Sequence, residues 1–104
     1  MNTHSPADAA KKASGSRAVV TVIGEDKVGI IAAVAVILAE ANANILDITQ
    51  SIMQEFFVMI MMTDLAKMTL PFDELKARLN QKGEQMNLKI DIQREDVFKL
   101  MHRV

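Results

Sequence analysis

The sequence predicts an α+β fold with the element order βαββαβ, in which a four-stranded antiparallel sheet carries two helices on one face. Three patterns support this prediction. Residues 17–23 and 56–63 are apolar on both faces, which is typical of strands in the middle of a sheet. Residues 45–53 and 88–93 alternate between apolar and polar side chains, as edge strands do. Segments with helical spacing of apolar residues separate the first strand from the second and the third from the fourth.

Helix one is predicted over about residues 28–41 and ends at an Asn-Ala-Asn turn. Its inner stripe has spacings of three and four and consists of Ile30, Ile31, Val34, Ile37, Leu38 and Ala41. Its outer side has almost no charge, because alanines and Val36 occupy it. A helix that is apolar nearly all round is usually covered on a second side. This pattern indicates a partner subunit.

Helix two is predicted to begin with Pro71 at its first position, which proline favours. Its inner side consists of Phe72, Leu75, Leu79 and Met86. Residues 95–104 predict a short C-terminal helix. The whole order is that of a ferredoxin-like sandwich, the split βαβ arrangement, in which strands one and three are central. We therefore expect Ile60 and Ile90 to be buried.

Length and composition favour one domain, residues 17–104, preceded by a flexible tail at residues 1–16 that is too polar to offset the entropy of ordering. The chain has 12 Lys and Arg against 13 Asp and Glu, which argues against a nucleic-acid partner. Its longest apolar run, residues 28–39, is shorter than the roughly 20 residues of a membrane span. No signal peptide is recognisable, so we expect a cytoplasmic protein without membrane contact.

Few residues in the sequence are suited to catalysis or to metal binding. Cysteine is absent and the two histidines, His4 and His102, have no nucleophile or carboxylate at nearby spacing. The methionines at 53, 59, 61 and 62 are soft copper ligands in principle, but core filling is the favoured interpretation. Glu25, Asp26 and Asp47 lack the ligand spacing of a divalent-cation loop. We expect no enzyme activity, metal or cofactor.

The loop at residues 24–29, Gly-Glu-Asp-Lys-Val-Gly, is the candidate binding site. It follows a buried strand and opens helix one, where backbone N–H groups without helical partners can bind an anionic group. One helix later, Asn42-Ala43-Asn44-Ile45 enters strand two. This layout resembles the ACT domain, and more closely the stand-alone single-ACT-domain proteins of bacteria.

The resemblance implies a regulatory module that binds an amino acid or a similar small ligand across a homodimer interface. Residues that match its ligand-contacting positions are Asp26, which is often Asn in that family, and Asn44. The ligand carboxylate is expected at the N–H groups of Val28, Gly29 and Ile30, its ammonium group at Asp26, and Asn44 of the partner chain is expected to close the site. The full candidate set is Gly24, Asp26, Lys27, Val28, Gly29, Ile30, Asn44 and Ile45.

Two alternatives stay open at this point. The first is a structural or protein-interaction dimer of the same fold that binds nothing in the loop. The second, a small enzyme with Asp26 or Asp47 as base, is disfavoured because it lacks a nucleophile and a second acid. In the sensor interpretation, the signal passes to a separate, unidentified protein partner.

Overall fold

The computed structural model of the chain describes residues 16–101. Its sheet has the strand order β2-β3-β1-β4 with antiparallel pairing throughout, which confirms the predicted ferredoxin-like α+β fold with β1 and β3 in the centre. The predictions for the tail and the last three residues lie outside the described residues. The elements are β1 (Arg17–Glu25), α1 (Ile30–Glu40), β2 (Asn44–Met53), β3 (Phe56–Asp64), α2 (Phe72–Met86), β4 (Leu88–Arg94) and α3 (Glu95–Met101).

One face of the sheet packs against α1 and α2 and forms the core. Buried side chains from both layers meet there, among them Val20, Val22, Val34, Leu38, Met59, Met61, Leu75, Leu79 and Ile90. Both helices begin slightly later than the sequence predicts. Helix α1 begins at Ile30 because Gly29 takes a left-handed conformation, with φ at 89°, as its N-cap. Pro71 is the N-cap of α2 rather than its first helical residue.

The opposite face of the sheet is open over much of its length. Ile60 lies on it and is 41% exposed, so the expectation that Ile60 is buried is wrong. The reason is that a central position in the sheet determines a strand's hydrogen bonding, while burial of its second face requires another layer of structure. Ile90 points to the helix side and is 2% exposed, as expected.

Helix α3 covers one end of this open face. It contacts β1 and β4, and Val19, which points away from the helical core, is only 2% exposed at that end. Glu95 of α3 is buried and forms an ion pair with Arg17 of β1. The hydrogen bond from Arg17 lowers the pKa of the Glu95 carboxyl below its ordinary value.

The two edges of the sheet differ. On β4, side chains of α2 bind the backbone: Lys76 donates to the Ile92 carbonyl at 2.9 Å, and Asn80 to the Ile90 carbonyl at 2.6 Å. On β2, the corresponding contact among the described residues is local, from the Ile48 N–H to the Asp47 carboxylate. Within the described residues, another element therefore protects the β4 edge and none protects the β2 edge.

Candidate functional site

The loop from β1 to α1 is anchored through its backbone. The Asp26 N–H donates to the Glu55 carbonyl in the β2–β3 turn at 3.0 Å, and the first helical bond runs from the Ala33 N–H to the Gly29 carbonyl at 2.9 Å. Among residues 16–101, no side chain caps the start of α1. The N–H groups free of helical partners therefore begin at Ile30, two residues after the start that the sequence indicated, and they carry the positive end of the helix dipole.

A shallow pocket of about 390 Å³ lies beside this loop. Four of the predicted residues line it: Asp26, Lys27, Gly29 and Ile30. The pocket also contains residues that sequence reasoning missed, namely Ile31 and Ala32 of α1, Gln50 and Ile52 of β2, and Phe57 of β3. The alternation of side chains along β2 could have indicated Gln50, because it is the polar residue on the face that Ile48 and Ile52 share.

Lys27 lines the pocket, but its ammonium group is engaged elsewhere. The Nζ atom donates a hydrogen bond to the carbonyl oxygen of Met86, the last residue of α2. A cation at a helix C-terminus is favourable, since it satisfies a carbonyl without a helical partner and faces the negative end of the dipole. In this position Lys27 ties the loop to α2.

Two predicted residues lie away from the pocket. Gly24 belongs to β1, and a Cβ atom there would lie 2.6 Å from Cδ2 of Leu88, so this glycine permits close packing of β1 and β4. Val28 is fully exposed at the tip of the loop and is absent from the pocket lining. Gly24 and Val28 thus have structural positions that the Gly-x-x-x-x-Gly pattern did not distinguish from the pocket residues.

Asn44 and Ile45 lie at the far end of the sheet from the loop. They begin β2, and α1, about 16 Å long at 1.5 Å per residue, runs between the loop and this end. Asn44 lines a second pocket of about 490 Å³ with Asn42, Asp64 and Lys67, while Ile45 packs against the core. A single chain therefore does not bring Asp26 and Asn44 together.

The described part of the chain has neither a metal-binding cluster nor a membrane-spanning helix. Within residues 16–101 no cluster of three acidic or histidine side chains is arranged to hold a metal ion. Met59 and Met61 are fully buried in the core. In the same residues, no helix is both long enough and apolar enough to cross a lipid bilayer.

A protein-family model identifies the class of protein to which the chain belongs. The ACT domain family model matches residues 16–93. The chain belongs to the ACT domain family, a family of regulatory modules. This confirms the resemblance drawn from the loop and the Asn-Ile motif.

The UPF0237 relatives of the chain are proteins with a single ACT domain. A UPF0237 protein of Clostridium acetobutylicum is 54% identical over 88 residues, which are 85% of this chain and 99% of that protein. A UPF0237 protein of Methanocaldococcus jannaschii is 48% identical over 89 residues, covering 86% and 99%. The structure of an ACT domain protein from Streptococcus pneumoniae superposes with a TM-score of 0.70 at 34% identity, covering 82% of this chain and 96% of that one.

Proposed function

We propose that the chain is a non-catalytic sensor that binds an amino acid, as a homodimer, in the pocket between the loop and β2. The observation that supports this most is the composition of the pocket. An exposed carboxylate, Asp26, and the amide of Gln50 lie beside a helix N-terminus without a side-chain cap, and Ile31, Ile52 and Phe57 form an apolar wall. These groups match the ammonium, carboxylate and side chain of an amino acid.

The proposed ligand pose follows from charge and burial. The ligand carboxylate meets the N–H groups of the first turn of α1, beginning at Ile30, where the helix dipole favours negative charge. Its ammonium group pairs with Asp26. An aliphatic side chain then lies against Phe57, which is 5% exposed, and Ile52, which is 58% exposed. A volume of about 390 Å³ is within the range of small-molecule sites.

The proposed dimer joins the β2 edges of two copies. This edge is unprotected, and apolar residues run beside it on the helix side: Ile31 and Ile48 are each 39% exposed. The Ile48 N–H faces away from β3, toward the Asp47 carboxylate, so the alternate residue Gln50 also directs its backbone groups outward. An antiparallel pair of β2 strands would satisfy these groups and bury the apolar residues beside them.

This dimer also explains the separation of Asp26 and Asn44. With a two-fold axis near Thr49, antiparallel pairing places the partner subunit's Asn44 beside Met53 and Gln54, at the loop end of β2. The partner subunit's Asn44 then lies next to the pocket, with its side chain on the sheet face away from the helices, because Asn44 pairs with Asp64 and Asp64 with Arg17. In the pair, the partner chain borders the pocket.

Ligand-dependent thermal unfolding, followed by far-ultraviolet circular dichroism, tests the sensor. The twenty standard amino acids are added singly at millimolar concentration, and a ligand at 100 times its Kd stabilises by about 2.7 kcal/mol. We expect Asp26→Ala to abolish the shift and Asp73→Ala, which removes another exposed carboxylate, on α2, to preserve it. Gly29 is left unchanged, because its φ of 89° would strain most replacements.

The outcome separates the two leading interpretations. If no amino acid stabilises the wild type, the sensor proposal is wrong and the structural or protein-interaction dimer replaces it. The dimer is tested separately with Ile48→Lys, since a lysine on an edge strand opposes strand pairing. Sedimentation should show a lower mass for this variant than for the wild type at tens of micromolar, and an unchanged mass would refute pairing through β2.

A further inference from the structure

We propose a second interface, in which another copy of the chain packs on the open face of the sheet and the α3 helix of each copy covers the bare end of the other's sheet. This interface involves neither the β2 edge nor the amino-acid pocket. Combined with the β2 pairing, it makes the assembly a tetramer of four 11.5 kDa chains.

The first component is the bare end of the open sheet face. Its apolar residues are Ile23, 48% exposed, Met53, 65% exposed, Phe56, 49% exposed, and Ile60, 41% exposed. Strand register places all of them on the face away from α1 and α2, because Ile23 pairs with Val58, and Met53 pairs with Phe56. Ile60 pairs with Thr21 in the same row of side chains.

The second component is the outer side of α3. Glu95 and Phe98, three residues apart, lie on its inner side, where Glu95 is 4% exposed and Phe98 is half-buried. Val97, Leu100 and Met101 follow the same helical spacing on the other side and are 46%, 65% and 60% exposed. The helix lies beyond residues 16–93 that the ACT family model matches, so it is an addition to the shared domain.

The two components lie at opposite ends of the same face. Helix α3 covers the end at Val19, and within residues 16–101 nothing covers the end at Ile23 and Phe56. A two-fold axis between two facing sheets, perpendicular to the strands, brings each α3 over the other copy's bare end. Such an interface is isologous, so every apolar contact occurs twice. A second copy is thus the one occupant for which the chain itself supplies both surfaces.

The area is sufficient for a stable contact. A phenylalanine side chain has an area of about 150–250 Å², so the half-exposed Phe56 contributes about 100 Å². Seven residues of similar size and exposure then give on the order of 700 Å² of apolar surface. The largest apolar patch on a typical monomer is about 300–600 Å², and specific interfaces bury about 800 Å² per partner. Half-buried Val58 and Met62 and the flanking polar residues supply the remainder.

Analytical ultracentrifugation of the full chain and three variants tests the proposal. Leu100→Glu changes only the α3 surface, and Ile60→Thr changes only the sheet surface while keeping a β-branched residue in the strand. Ala77→Glu is the control, because Ala77 is exposed on α2, in the other layer of the fold. Circular dichroism verifies that each variant is folded.

We expect the wild type to sediment as a tetramer, and Leu100→Glu and Ile60→Thr each to halve its mass, whereas Ala77→Glu keeps the wild-type mass. Adding Ile48→Lys to Leu100→Glu should give a monomer, while Ile48→Lys alone should give the face-to-face dimer. The proposal is overturned if either Leu100→Glu or Ile60→Thr leaves the mass unchanged, since α3 and the sheet must then have different partners. If only the β2 pairing does not form, the wild type is a face-to-face dimer, and Leu100→Glu converts this dimer to a monomer.

Discussion

Gly83 lies inside α2, where replacement by alanine would ordinarily stabilise the protein by about 1 kcal/mol because of alanine's helix propensity. The structure predicts the opposite effect. A Cβ atom at this position would lie 2.6 Å from the Leu88 carbonyl oxygen and 3.1 Å from the Ile90 nitrogen. Both are backbone atoms of β4 and cannot rotate away, so α2 must move off the sheet by several tenths of an ångström.

The magnitude follows from two opposing effects. Overpacking of a close contact costs about 1–3 kcal/mol, and the gain in helix propensity offsets about 1 kcal/mol of it. We therefore expect Gly83→Ala to lower the free energy of unfolding by about 1 kcal/mol. Ala77→Gly is the matched control, since Ala77 is exposed in the same helix and should lose about 1 kcal/mol through propensity alone.

Urea denaturation measures both variants. Because the chain has no Trp or Tyr, the signal is far-ultraviolet circular dichroism rather than intrinsic fluorescence. All samples are compared at one protein concentration, since assembly contributes to the stability of an oligomer. A higher urea midpoint for Gly83→Ala than for the wild type would refute the close approach of α2 to β4.

The two faces of β3 and the Arg17–Glu95 pair give further predictions. Met59→Ala should lower the free energy of unfolding by about 2–5 kcal/mol at every protein concentration, because Met59 is fully buried within the chain. Ile60→Ala should lower the free energy of unfolding by less than about 1 kcal/mol at protein concentrations where the oligomer dissociates, and by more at high concentration. Urea denaturation curves over a series of protein concentrations measure this difference. The lowered pKa of Glu95 stabilises the fold above the ordinary value of 4.5, and this stabilisation is lost as the pH falls below 4.5. Acid titration should therefore weaken the wild type more than Glu95→Gln, and parallel curves would contradict this.

Much of the fold could be predicted from the sequence because the relevant signals are local. Alternation over residues 88–93 distinguishes an edge strand, and apolar residues on both sides of residues 56–63 distinguish a central one. The Gly29 boundary and the Asn turn place α1 to within a few residues. The position of the loop at a helix N-terminus follows from this order of elements, and with it the resemblance to ACT domains.

The composition of the site required the tertiary structure. Lys27 donates to Met86, a residue 59 positions away in the sequence, so its engagement has no local signature. Gln50 and Phe57 lie beside the loop because β2 ends and β3 begins at that end of the sheet. Asn44 lies at the opposite end because α1 runs away from the loop and β2 begins after it, in the same direction as β1.

The sequence by itself determined the order of the elements, the central strands and the loop that opens α1, because hydrophobic periodicity and turn residues act over a few neighbouring positions. Only the tertiary structure decided which apolar surfaces are buried and which stay exposed. Ile60 and Met59 are adjacent in one central strand, yet one faces solvent and the other the core. Periodicity reports that side chains alternate between two faces, whereas burial depends on whether distant segments, here α1, α2 and α3, pack against each face.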